Sequence, residues 1–224
     1  MRQLSLSRSL LFFLEELEYS EAALSADPDA ASLAVPFRDA LEEWNALFNK
    51  ERLGRRGVIR AEAVVNVRNE RIDATTIRFG ALARVTAPDV LHRCFNLAPG
   101  KFVRRNLRQQ CEATKNTIVP EIAKLNADNA LKPFAPQLDS LAQDALTALD
   151  DRARAMANRQ SSANDVLEFK EGVNALRTTT YAELLKIAVD HHLPKSWTES
   201  FFRKADADDA PEPEPLTPTT GPTP

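Results

Sequence analysis

Metal binding and nucleophilic catalysis draw on histidine, cysteine and clustered carboxylates, and this chain of 224 residues has few that are suitably spaced: His92, His191, His192, Cys94, Cys111 and the pair Glu168-x-x-Glu171. A metal site between helices needs inward carboxylates and Glu-x-x-His pairs, because a spacing of three puts both ligands on one helical face. No histidine has a glutamate three positions before it. Asp89-x-x-His92 comes nearest, and Asp89 is explained by a helix start. His92 and Cys94 are two apart and fall on different faces of a helix, so a cysteine nucleophile there needs its base brought in by the fold. Cys94 and Cys111 fit neither a disulfide framework nor a four-ligand zinc pattern. They read as small core residues in a reducing compartment.

The glycines, at positions 54, 57, 80, 100, 172 and 221, write neither a Gly-x-Gly-x-x-Gly turn nor a Gly-Lys-Ser/Thr turn, so no phosphate-binding loop is predicted. Gly54-Arg55-Arg56-Gly57 resembles the backbone clamp of a KH domain in spacing, but that module needs strands around it and none are predicted. The sequence thus predicts no catalytic residue, no metal ligand and no cofactor, and a chain that is not an enzyme.

Charge is distributed unevenly. Residues 1–49 carry 3 basic and 9 acidic groups, 50–108 carry 14 and 5, and 109–224 carry 12 and 18. The basic block has two readings. Either Arg52, Arg55, Arg56 and Arg60 with Lys101, Arg104, Arg105 and Arg108 neutralise nucleic-acid phosphates, with Phe102 available to stack, or the arginines meet Asp and Glu across helix seams. Their spread over nearly every heptad position favours the second reading. Arg68 and Asn69 sit near the apolar seam, where a polar layer would fix register.

The elements carrying these residues read as helices. Phe37, Trp44, Val58, Val65, Ile72 and Phe79 recur at seven-residue spacing, interrupted only at Glu51, which is the signature of a bundle or coiled coil. A helix from Pro36 to Thr86 is about 75 Å long at its standard rise, with Gly54 and Gly57 marking a kink. Asp27-Pro28-Asp29 ends a first helix, Thr86-Ala87-Pro88-Asp89 is a capping-box-like restart, and Pro99-Gly100 is a turn. A third helix is expected over 101–126, bent near Pro120, and a fourth over 136–193 with a break in the polar run Asn158–Asn164. Ser196-x-x-Glu199 caps a last short helix that carries Trp197, Phe201 and Phe202.

The expected protein is all-α: an elongated antiparallel bundle of four long helices plus short ones over 1–204, and a disordered, acidic, proline-rich tail over 205–224. The apolar run Leu10–Leu14 is too short for a signal peptide, and no stretch reaches the length of a membrane span, so the expected location is cytoplasmic. A first helix much shorter than the 37–86 pattern leaves part of that seam without a partner inside the chain. The reading is therefore a non-enzymatic scaffold or protein-interaction protein whose seam Phe37, Trp44, Val58, Val65, Ile72 and Phe79 is covered by self-association or by another protein; nucleic-acid binding through 50–108 is the alternative.

Overall fold

Ser9 opens the first helix by accepting the Phe12 backbone N–H through its side chain, which satisfies one of the donors a helix start leaves unpaired. That helix, α1, spans Leu10–Ala26. The computed structural model describes residues 3–203, and among them every regular element is helical, with no strand. A 3-10 turn, Ala31–Ala34, leads into α2, Val35–Thr86, a single helix of 52 residues. Four short helices follow: α3 (Pro88–Cys94), α4 (Pro99–Phe102), α5 (Leu107–Ala113) and α6 (Val119–Ala123). Then come α7, Phe134–Asp190, with 57 residues, and α8, Lys195–Ser200. The expected tail 205–224 lies outside the described residues.

Among the described residues the all-helical class and most helix boundaries agree with the sequence, but two helices are long and not four. The third one expected, over 101–126, is in pieces. Asn106 breaks it by accepting the Arg108 N–H and starting α5 afresh. Pro120 has no N–H for the Asn116 carbonyl, and the chain before it widens into a π turn, Thr114–Ile118. One expected break is absent: α7 continues through Asn158–Asn164, a run that is polar but has neither Pro nor Gly to force a stop, and α2 is one helix through Gly54 and Gly57. Two expected caps are also different. Thr86 is the last residue of α2 and donates its hydroxyl back to the Leu82 carbonyl, and Ser196 lies inside α8, behind Pro194.

The chain divides into two compact units. Unit 1 comprises Met1–Arg52 and Ser161–Pro224, and unit 2 comprises Leu53–Gln160. In unit 1, Phe13, Leu17 and Leu24 of α1, Phe37, Trp44 and Leu47 of α2, and Phe169, Val173 and Leu184 of α7 form one buried cluster with Phe201 and Phe202. Through this core runs a polar stripe on α7, Lys170, Asn174 and Arg177, spaced to share one face. Asn174 accepts the Leu4 N–H at 2.8 Å and donates to the Leu4 carbonyl at 2.9 Å. Lys170 donates to the carbonyls of Leu6 and Arg8 and lies over the Phe13 ring. Arg177 meets Glu16 at 2.6 Å, both side chains 4% exposed, and lies over Phe202. Burial pulls the Arg177 guanidinium below its usual value, with Glu16 opposing.

Unit 2 closes on aromatic rings. Phe79 of α2 lies 5.9 Å from Phe95 and 5.6 Å from Phe134, and Phe95 lies 5.2 Å from Phe102, among Val90, Ile118, Ile122, Leu131 and Leu138. A smaller cluster, Ile72, Cys111, Ala142 and Ala145, joins α2, α5 and α7. Gly80 lets α4 come close: a Cβ there would stand 2.5 Å from Cγ of Pro99.

Candidate interaction surfaces

The seam predicted as a partner surface is the chain's own core. Phe37 and Trp44 are buried in unit 1, Val65, Ile72 and Phe79 are buried in unit 2, and Val58 is half-buried. Its missing partners are found inside the chain because α7 runs as long as α2 and because α3 to α6 pack against Phe79.

Several of the basic residues are paired with carboxylates of other helices. Arg108 meets Asp150 at 2.6 Å, Arg68 meets Asp144 at 3.1 Å and Arg93 meets Glu121 at 3.1 Å, which is the cross-seam pairing weighed from the sequence. Arg105 lies over the Phe102 ring, and Phe102 is 3% exposed, so it cannot stack on a base. Arg52, Arg55, Arg56 and Arg60 are exposed along α2, with Gly54 and Gly57 in helix rather than in a clamp loop; Lys101 and Arg104 are exposed on and just after α4. Over the described residues unit 2 has 18 basic and 11 acidic groups, +7, and unit 1 has 9 and 16, −7.

A groove of about 540 Å³ opens in unit 2 where the start of α5 meets α2 and α7, with Val65, Asn69, Asn106, Arg108, Arg152 and Met156 on its walls. Beneath it Asn69 and Gln110 both donate to Asp73, at 3.3 and 2.7 Å. Burial holds the Asp73 carboxyl above its ordinary 3.8, against the Gln110 hydrogen bond and with help from Glu70. Asn69, expected in a polar layer near the seam, thus stands in a half-buried amide–carboxylate chain.

The candidate chemical groups are dispersed. Cys94 and Cys111 are free and buried, and burial pushes both thiols up to about 11, which suppresses the reactive thiolate. His191 meets Asp29 on the surface, and His92, Glu168 and Glu171 are exposed. Among the described residues no three His, Cys, Asp or Glu side chains gather as metal ligands, and no helix is long and apolar enough to cross a membrane.

Sequence reasoning missed a second stripe on α2. Val35, Asp39, Glu42, Ala46, Asn49, Leu53, Arg56, Arg60 and Val64 follow one another at three- and four-residue steps and are all exposed, with Val35 at 50%, Leu53 at 59% and Val64 at 49%. The four-three spacing was there to be read, but the stripe mixes charged with aliphatic side chains, and a search for apolar recurrence passes over it.

No protein-family model, no curated protein and no solved structure matches the chain.

Proposed function

We propose that this protein is a non-enzymatic helical scaffold that works by protein–protein interaction, self-associating or binding a partner through the solvent faces of its long helices. The observation that carries the reading is the exposure of large aliphatic side chains along α2 and α7: Leu53, Ile59, Val64, Val67 and Val85 on α2, and Met156, Leu167 and Val189 on α7, from 47 to 82% exposed. Single exposed aliphatics are ordinary on a protein surface; repeated ones along continuous helices are the material of helix-to-helix association. Size-exclusion chromatography with light scattering tests it. The expected result is a discrete, concentration-dependent mass above the 24.9 kDa of one chain, with protein-like absorbance. A single-chain mass at every concentration removes self-association.

The +7 charge of unit 2 favours a second reading, nucleic-acid binding through the exposed members of the basic segment 50–108. It predicts a peak with nucleic-acid absorbance that salt strips away. Reversing Arg55, Arg56, Arg104 and Arg105 would weaken retention on a nucleic-acid column and flatten its salt dependence; unchanged retention removes this reading.

A further inference from the structure

The groove in unit 2 has a charge pattern that the chain itself leaves unfilled. Its walls carry two guanidinium groups, Arg108 and Arg152, and three side-chain amides, Asn66, Asn69 and Asn106, and no Asp or Glu lines it. The carboxylates around it are engaged elsewhere or stand off its walls. Asp150 takes Arg108 at 2.6 Å, Asp151 takes Arg154, and Asp144 takes Arg68 at 3.1 Å. Asp73, beneath the groove, accepts from Asn69 and Gln110, while Glu62, Glu70 and Glu112 are exposed and do not line it. Arg152 is different: it is half-buried, and no hydrogen bond, ion pair or ring contact within the described residues engages it. A guanidinium that has given up part of its water without gaining an acceptor has unmet demand for an anion. Arg108 gives Asp150 an N–H of Nη2 and keeps others to donate. Beside these polar groups the walls are aliphatic, with Leu107 and Leu149 half-buried and Met156 55% exposed.

We infer that this groove binds a small organic anion, whose carboxylate or phosphate meets the Arg152 guanidinium, with Arg108 as a second donor, and whose apolar body lies on Leu107, Leu149 and Met156. A volume of about 540 Å³ is in the range that holds a small molecule. The planar fork of an arginine matches the two oxygens of a carboxylate or phosphate, and the unbranched, polarizable methionine adapts to the shape of an apolar body. The exposed amides of Asn66 and Asn106 offer donors and acceptors to a polar substituent. Nothing on the walls repels an anion, the same walls give a cation no carboxylate to bind, and the +7 charge of unit 2 raises the local concentration of anions. The site lies within unit 2 and is independent of self-association.

The test titrates the full chain with anilinonaphthalene sulfonate, an anion on an aromatic body that fluoresces in apolar surroundings, and with its neutral counterpart, phenylnaphthylamine. The sulfonate should saturate at one per chain, bind about tenfold or more tightly than the amine, and weaken as salt is added. Met156 is one of two methionines, so methyl-labelled methionine, assigned with Met156→Leu, reports the site directly: the Met156 signal should shift as the ring settles beside it. Arg152→Glu should lose about tenfold or more of the affinity, the loss expected for a charge-assisted contact, whereas Arg154→Glu, outside the groove, should keep it. Should Arg152→Glu lose its native circular dichroism, Arg152→Lys serves instead, with the charge kept, the fork removed and a smaller loss expected. Displacement of the sulfonate by laurate assigns the natural anion to a fatty carboxylate, and displacement by adenosine monophosphate to a phosphate monoester; displacement by neither overturns the ligand class. Absence of binding, binding that leaves the Met156 signal in place, or affinity that no substitution of Arg152 reduces overturns the site.

Discussion

Both units pack aromatic rings in their cores, but among the described residues the buried charged side chains, Glu16, Lys170 and Arg177, all lie in unit 1. In unit 1, Lys170, Asn174 and Arg177 lie within the core, and each has hydrogen-bonding partners on the N-terminal segment or on α1. In unit 2 the corresponding space holds Phe79, Phe95, Phe102 and Phe134, and the ion pairs lie outside it. The surfaces differ too, −7 against +7. A ring loses packing in proportion to what is cut away, while a buried charge that loses its partner is left desolvated and uncompensated. The two units should therefore fail in different ways.

The largest effects separate those modes. Arg177→Leu strands Glu16 and should cost unit 1 about 3–5 kcal/mol, and adding Glu16→Leu should return most of it, since removing both charges also removes the desolvation penalty. Both tryptophans, Trp44 and Trp197, lie in unit 1, so their fluorescence in a urea titration reads this directly. A double variant no more stable than the single would break the contrast. Phe79→Ala should cost unit 2 a similar ~3–5 kcal/mol, seen by far-ultraviolet circular dichroism, with no second substitution of comparable rescue.

A smaller effect comes from the close approach at Gly80. Gly80→Ala drives a methyl group into Pro99 and should cost about 1–3 kcal/mol, whereas Gly57→Ala, with open space around it, should stabilise slightly by favouring helix. Equal effects at the two glycines would show that α4 gives way.

The smallest is a pH dependence in unit 2. Asp73 has its folded value raised above its ordinary one, so the folded chain holds this proton more tightly than the unfolded chain. The penalty is present above the raised value and is relieved as pH falls through it towards 3.8. Native stability measured against Asp73→Asn should therefore rise between neutral pH and pH 4, and a flat difference would place Asp73 in water.

The contrast between the units also explains what the sequence reveals of this fold. Phe37, Trp44, Val65, Ile72 and Phe79 are legible as one buried stripe because helix period and hydrophobicity agree there. Lys170 and Arg177 are not, because a buried cation is written with the same letter as an exposed one and its carbonyl and carboxylate partners lie more than 160 residues away. The count of long helices fails for a local reason: Asn106 and Pro120 break a pattern whose apolar spacing runs straight past them. Of the candidate surfaces, the basic residues were visible as composition, but which of them are paired depends on Asp144 and Asp150 of α7, a helix distant in sequence.

The hydrogen bonds that secure the N-terminal segment go to the amide and carbonyl of Leu4 and to the carbonyls of Leu6 and Arg8, backbone groups that every residue supplies, save that proline lacks the amide N–H. What α7 specifies there is a count, the two-residue intervals from position 4 to 6 to 8 and then to the first turn of α1. An alanine in place of Leu6 or Arg8 leaves the arrangement in register, while one residue inserted between Leu4 and Leu6 moves every carbonyl out of it.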